Sequence, residues 1–214
     1  VRVEKSKGKD NDLMLKCKEY DIQNVALTDH GNMSGVIEHY KTCKQYGIKP
    51  IIGLEAYVTN DLTIKDKSSK YYHLILLAKN AKGYSNLKIL SSIGYTKGFY
   101  NKPRIDFKTL QQYSEGLVCC TACLAGELPR MIMRRYYEDS LSIKDEIMEE
   151  IDKYIKQYKD LFGDDFYLEM QSSDSEEQII VNTTLASLSK EYNIPLVITT
   201  DVHFLNKEDF EVHN

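Results

Sequence analysis

Side chains able to bind metal ions close three apolar runs in this sequence. Val25-Ala26-Leu27-Thr28 leads to Asp29 and His30, Pro50-Ile51-Ile52-Gly53-Leu54 leads to Glu55, and Pro195-Leu196-Val197-Ile198-Thr199-Thr200 leads to Asp201 and His203. The last two stand two residues apart, on the same side of an extended segment. Imidazole and carboxylate donors together suit divalent zinc, manganese or iron, and carboxylates able to bridge suit a multi-metal site that binds a phosphate and activates water. Glu55 is the sharpest case, because an apolar run precedes it and Ala56-Tyr57-Val58 follows it. That is an expensive setting for a carboxylate unless a cation or a partner accepts it.

The residues before each run show what must position these groups. Tyr20-Asp21-Ile22, Tyr46-Gly47-Ile48 and Tyr192-Asn193-Ile194 repeat one phrase. Asp, Gly and Asn readily take the left-handed conformation that closes a helix, so each phrase predicts a helix end, a short link and a buried strand. The ligands then collect at the carboxyl ends of strands, where α/β proteins place their chemistry. Further helices are predicted over 11–20, about 34–46, 81–94 and 141–161, and from the capping-box pattern Ser173-Asp174-Ser175-Glu176 through Tyr192. In the 141–161 helix Ile143, Ile147, Ile151, Ile155 and Tyr158 line one face, while Asp145, Glu146, Glu149 and Glu150 form a solvated side. Strands are predicted over 71–78, 117–120 and 166–170, with a polar loop at 60–70 and a glycine- and proline-punctuated loop at 98–106. This alternation predicts one α/β domain over 1–214, built on a mostly parallel sheet, open or closed.

Composition narrows the function class. The net charge of −4 over 214 residues gives no basic footprint of the kind a domain lying along nucleic acid carries. No apolar run approaches the roughly 18 residues of a membrane span and no signal peptide is visible, so a cytoplasmic protein with no membrane partner is expected. The five cysteines are odd in number and sit among apolar neighbours, which fits reduced thiols. Cys120-Thr121-Ala122-Cys123 has redox spacing but lies mid-chain at a strand end, and no second pair exists for a zinc ribbon. His39 and His213, each predicted on a helix, are expected to be structural; His73 alone is undecided.

Ordered blocks of residues then carry a resemblance. Ala26-Leu27-Thr28-Asp29-His30-Gly31-Asn32-Met33, Gly47 through Val58, and His73 through Asn80 come first. Gly98 through Asp106, Cys123 through Arg130, and Asp201-Val202-His203-Phe204-Leu205 follow. Together they resemble the polymerase and histidinol phosphatase (PHP) domain, in the version found at the amino terminus of bacterial DNA polymerase III alpha subunits. The resemblance implies a distorted seven-stranded (β/α) barrel whose top face holds up to three divalent metals. Position by position, it implies that His30, Glu55, His73, Cys123, Asp201 and His203 are metal ligands, and that Asp29 is a carboxylate orienting a histidine. Cys123 stands where some relatives have His, and a thiolate is a competent zinc ligand. His73 lies near the start of its apolar run, a place the strand-end rule does not select.

One departure stands out. The family's first strand carries a His-x-His pair, and residues 1–28 contain no histidine. With Val1 first, the expectation is a domain lacking that strand, its polymerase core lying beyond residue 214, and therefore weak in metal binding and hydrolysis. The implied function is that of a segment of a replicative DNA-directed DNA polymerase. The segment itself is expected to hydrolyse phosphoesters with metal, as in a proofreading 3′ to 5′ exonuclease. The implied partners are the remainder of the alpha subunit, DNA held by the intact polymerase, and proofreading or other replisome subunits. The alternatives are a non-catalytic structural module and a free-standing phosphatase, the latter disfavoured by the blocks around Arg104 and Gly126.

Overall fold

The computed structural model describes residues 12–205; His213 and the basic stretch before Asp12 lie outside them. The repeated tyrosine phrase closes three helices in one way. Helix α1 (Asp12–Glu19), helix α2 (Val36–Tyr46) and helix α7 (Glu176–Tyr192) are followed by left-handed residues, with φ of 54° at Asp21, 71° at Gly47 and 49° at Asn193. In each case the isoleucine N–H reaches back into the last turn, Ile22 to Cys17 O at 2.7 Å, Ile48 to Cys43 O at 2.9 Å and Ile194 to Ser189 O at 3.1 Å. These bonds satisfy carbonyls that a helix end otherwise orphans. The chain then enters β1 (Asn24–Leu27), β2 (Lys49–Thr59) and β7 (Leu196–Thr199).

The other elements are β3 (Tyr72–Ala78), α3 (Ala81–Thr96), β4 (Arg104–Asp106), α4 (Phe107–Gln112), β5 (Leu117–Cys120), α5 (Glu127–Tyr137), α6 (Leu141–Phe162) and β6 (Phe166–Gln171). Strands pair in the order β1-β2-β3-β5-β6-β7, with β4 beside the last residues of β2. All pairings are parallel except those of β3, which runs against both β2 and β5. The reason is the link at 60–71: it holds no crossover helix, so the chain can only turn back on itself. Four parallel pairings and the two antiparallel ones of β3 thus give a sheet that curls, bringing the residues after its two outer strands together. The His30 and His203 rings, which follow β1 and β7, are 5.9 Å apart.

Three expectations are corrected. The 98–106 loop contains β4, whose three residues are buried and pair with Tyr57–Thr59. The apolar stripe of α6 begins at Ile147 instead of Ile143, which is 41% exposed. The capping oxygen of α7 also belongs to Ser175, which accepts from the Gln178 N–H, and not to Ser173.

The main core fills the space between sheet and helices. Leu54, Leu74, Leu76, Leu87, Leu90, Ile155, Phe166, Leu168 and Leu185 are among its fully or nearly fully buried members, each stabilising the fold by about 1.5–3 kcal/mol relative to exposure. Arg104 is buried as well. Its Nε donates to Gly98 O at 3.0 Å, one Nη to Ile64 O at 3.0 Å and the other to Ser69 Oγ, so it fastens the 60–70 loop to β4. Thr59 adds a bond to Lys70 O at 2.8 Å.

His39 is structural. It is buried on α2, and its Nε2 lies 3.1 Å from Val25 O, tying that helix to β1. Burial pushes its imidazole below the ordinary range despite the Val25 bond and the nearby Asp29 charge. The unfolded chain therefore binds this proton first as pH falls, so the His39 contribution is complete above about pH 6.5 and is lost below it. Urea midpoints measured from pH 7 to pH 5 should fall more steeply for the wild-type chain than for His39→Gln; equal slopes would show that His39 is not the group involved.

Candidate metal centre

The backbone brings His30 to Glu55 before any side chain acts. Strand β1 ends at Leu27, yet the parallel ladder resumes for one bridge beyond it: Glu55 N–H donates to Asp29 O at 3.1 Å and Gly31 N–H donates to Glu55 O at 2.9 Å. The His30 Nε2 then lies 3.4 Å from Glu55 Oε2. On the other flank of β2, His73 of β3 sits opposite Tyr57, diagonal to Glu55 on the same face. Its Nδ1 is 2.6 Å from Glu55 Oε1. The reversed direction of β3 explains why His73 opens its strand: the start of an antiparallel strand lies at the same rim as the ends of its parallel neighbours.

The third approach comes from the turn after β5. His73 N–H donates to Ala125 O at 3.0 Å, and Cys123 Sγ lies 3.7 Å from His73 Nδ1. Asp201 and His203 follow β7, with His203 Nδ1 at 2.7 Å from Asp201 O and 3.8 Å from Asp201 Oδ1. The six residues thus form one chain of contacts, running from Cys123 through His73, Glu55, His30 and His203 to Asp201. Left-handed backbone gathers beside them, without strain at Gly31 (φ 69°) and at a steric cost at Ala122 (62°), with Asp201 (45°) also in that region. At Gly31 a Cβ would fall 2.5 Å from Pro103 Cγ, so only glycine passes between Pro103 and Tyr57.

Three groups able to bind a cation lie together here. Glu55 is 3% exposed, and the nearest donor atoms of His30, Glu55 and His73 all lie within 4.8 Å of one another. Burial lowers the basicity of His73, but the Cys123 and Glu55 contacts raise it further, to about 9. Burial pushes His30 down, against the pull of Glu55. A nucleophilic relay would place thiol and carboxylate on opposite ring nitrogens. Here both approach Nδ1 of His73, the arrangement of donors converging on a point. Imidazoles, carboxylates and a thiol fit a divalent transition metal.

Asp29 is half-buried, and a Cβ on Gly35, at the start of α2, would meet its Oδ2 at 3.2 Å. Its charge acts on His39. Cys120 belongs to the core, where burial raises its thiol to about 12, so the C-x-x-C spacing presents a single accessible sulfur. Two residues escaped the sequence reading. Tyr57, buried, stacks on His30 at 6.0 Å and meets His73 edge-on at 5.2 Å. Glu169 is buried within β6, two residues before its last. Its signal was present, since Phe166-Tyr167-Leu168-Glu169-Met170 sets a lone carboxylate in an apolar strand, as at Glu55.

The pattern of the PHP domain family matches residues 3–173. The chain is 46% identical over 206 residues to the DNA polymerase III subunit alpha of Borreliella burgdorferi and 42% identical over 212 residues to that of Aquifex aeolicus. These alignments cover 94% and 95% of the chain but only 17% of each relative, so the chain spans about a sixth of their length. Among solved structures, an amidohydrolase from Chromobacterium violaceum shares the fold with a TM-score of 0.53 at 11% identity, covering 89% of this chain and 80% of that one. A protein assigned as a metal-dependent phosphoesterase from Bifidobacterium adolescentis gives 0.52 at 13%, covering 90% and 81%.

Replacing Glu55 tests the convergence directly. With Glu55→Gln, the His73 ring followed by NMR in chelator-treated buffer should titrate nearer the ordinary value of about 6.5 than about 9. Zinc and manganese affinity, measured calorimetrically, should fall by more than the roughly 10- to 100-fold that outer partners of a metal site contribute. An unchanged His73 titration would show that the carboxylate does not govern it.

Proposed function

The chain belongs to the PHP domain family, and on that premise we propose that it is a metal-dependent phosphoester-hydrolysing domain of a bacterial DNA polymerase III alpha subunit. The observation that carries the reading is the buried Glu55 carboxylate set between two imidazoles, with their donor atoms all within 4.8 Å. Identity above 40% to two alpha subunits supports the assignment to the polymerase, and likeness in fold to a metal-dependent phosphoesterase supports hydrolysis. Polymerisation itself, with the DNA and replisome contacts it needs, would fall to the remainder of such a subunit.

His30, Glu55 and His73 would hold one cation, and Cys123, Asp201 and His203 would complete a site for up to three, of zinc, manganese or iron. Bound there, such ions supply a water of lowered pKa and positive charge against a phosphate. The protein's own part is to fix the donors. Glu55 joins two of them, Tyr57 covers the His30 and His73 rings on one flank, and the ladder through Asp29 and Gly31 sets the His30 backbone. No side-chain nucleophile is needed. The substrate in this reading is the 3′ end of a DNA strand, removed in the 3′ to 5′ direction.

A structural role is the second reading, because Glu55, His30 and His73 satisfy one another and so clip β2 to β3 and to the segment after β1. The test uses 5′-labelled single-stranded DNA with manganese, zinc or iron(II). Shortening from the 3′ end, lost in Asp201→Asn by about 100-fold or more as expected for a metal ligand, supports hydrolysis. Bound metal with intact DNA under all three ions favours the structural role.

A further inference from the structure

We infer that Glu169 is a positioning residue that fixes Cys123 on one side and Asp201 and His203 on the other. This inference rests on reading those three residues as metal ligands. Strand β6 lies between β5 and β7 in the sheet, so Glu169 stands between the two segments that deliver them. Its Oε2 accepts from the Ala122 N–H at 3.1 Å, and its Oε1 accepts from Thr199 Oγ1 at 2.5 Å and from Gln171 Nε2 at 3.4 Å. Its own N–H donates to Thr121 Oγ1 at 2.9 Å. Ala122 immediately precedes Cys123, and Thr199 lies two residues before Asp201.

The need for such a clamp is visible in the ladders. Backbone pairing of β5 with β6 ends at Cys120↔Tyr167, and that of β6 with β7 ends at Gln171↔Thr199. Beyond these points the chain turns through left-handed residues at Ala122 and Asp201; an aspartate tolerates that region, but at Ala122 it costs about 1–3 kcal/mol and persists only when neighbours enforce it. Glu169 bonds to the first of these residues directly and to the strand that feeds the second. With 3% exposure, both of its oxygens engaged by protein donors and no Lys, Arg or His within 4 Å among the described residues, it is a tether and not a further ligand.

The centre therefore has two halves with different supports. His30, Glu55 and His73 hold one another by direct contact. Cys123, Asp201 and His203 leave the ends of paired strands, touch the first group through His73 and His30, and take their mutual spacing from Glu169. Removing Glu169 should loosen the second half and spare the first.

The 214-residue chain titrated with cobalt(II) tests this. The thiolate-to-cobalt charge-transfer absorption reports Cys123, and stoichiometry reports the remainder. In Glu169→Ala the affinity that governs the thiolate absorption should fall by about 10- to 100-fold, while cobalt bound by His30, Glu55 and His73 stays. Glu169→Gln should recover most of the absorption, its amide oxygen accepting from Ala122 and its amide nitrogen donating to Thr199 Oγ1. Thr199→Val, close in shape to the native residue, should keep the thiolate absorption and lower stoichiometry to the level of Asp201→Asn. Wild-type spectra and stoichiometry in both Glu169→Ala and Thr199→Val overturn the clamp while the metal reading stands. Equal loss in Glu169→Gln and Glu169→Ala also overturns it. A wild-type chain that shows no thiolate absorption overturns the clamp together with the metal reading.

Discussion

A carboxylate shut away from water governs the rim of this sheet. Stripping an ion of its hydration costs several kcal/mol even after relaxation, and Glu55 offsets that cost through His30 and His73 at 3.4 and 2.6 Å. The surrounding architecture follows from the need to bring both rings to one side chain. Strand β2 must run past the end of β1, so that the segment holding His30 can bridge to it. Strand β3 must run the opposite way, so that its first residues reach the same height. Gly31 must lack a Cβ, so that the chain passes Pro103 and Tyr57.

The parts of this fold written in local chemistry were legible. Left-handed closure at Asp21, Gly47 and Asn193 is a property of a few residues, and each predicted cap is present. Direction and pairing are not local. Nothing in His73–Ala78 states which way the strand runs, and β4 is three residues long, a strand only because β2 lies beside it. Helices α4 and α5 were passed over. The first is a single short helix, and the second follows Gly126, which offers no capping side chain, though Pro129 in its first turn was a signal in plain view.

The candidate site divides along the same line. Glu55, Asp201 and His203 could be picked out by polarity against an apolar background. His73 and Cys123 entered through family resemblance, because one sits at the wrong end of a strand for a simple rule and the other follows a turn whose geometry depends on a partner. That partner, Glu169, carried the same signal as Glu55 and went unread. A lone carboxylate in an apolar strand marks either a ligand or a tether, and only the donors around it tell which.

The fastening of the 60–70 loop has an evolutionary consequence. Arg104 and Thr59 grip it at Ile64, Ser69 and Lys70, which are its feet, while Lys65–Ser68 lie exposed beyond the grip. Lengthening that outer part adds closure entropy of only about 0.6 kcal/mol per doubling and transmits no strain to β2 or β3. Lineages are therefore free to lengthen, recharge or replace the tip while the histidines and the buried carboxylate stay in register. Heredity can revise the approach to this rim without touching its chemistry.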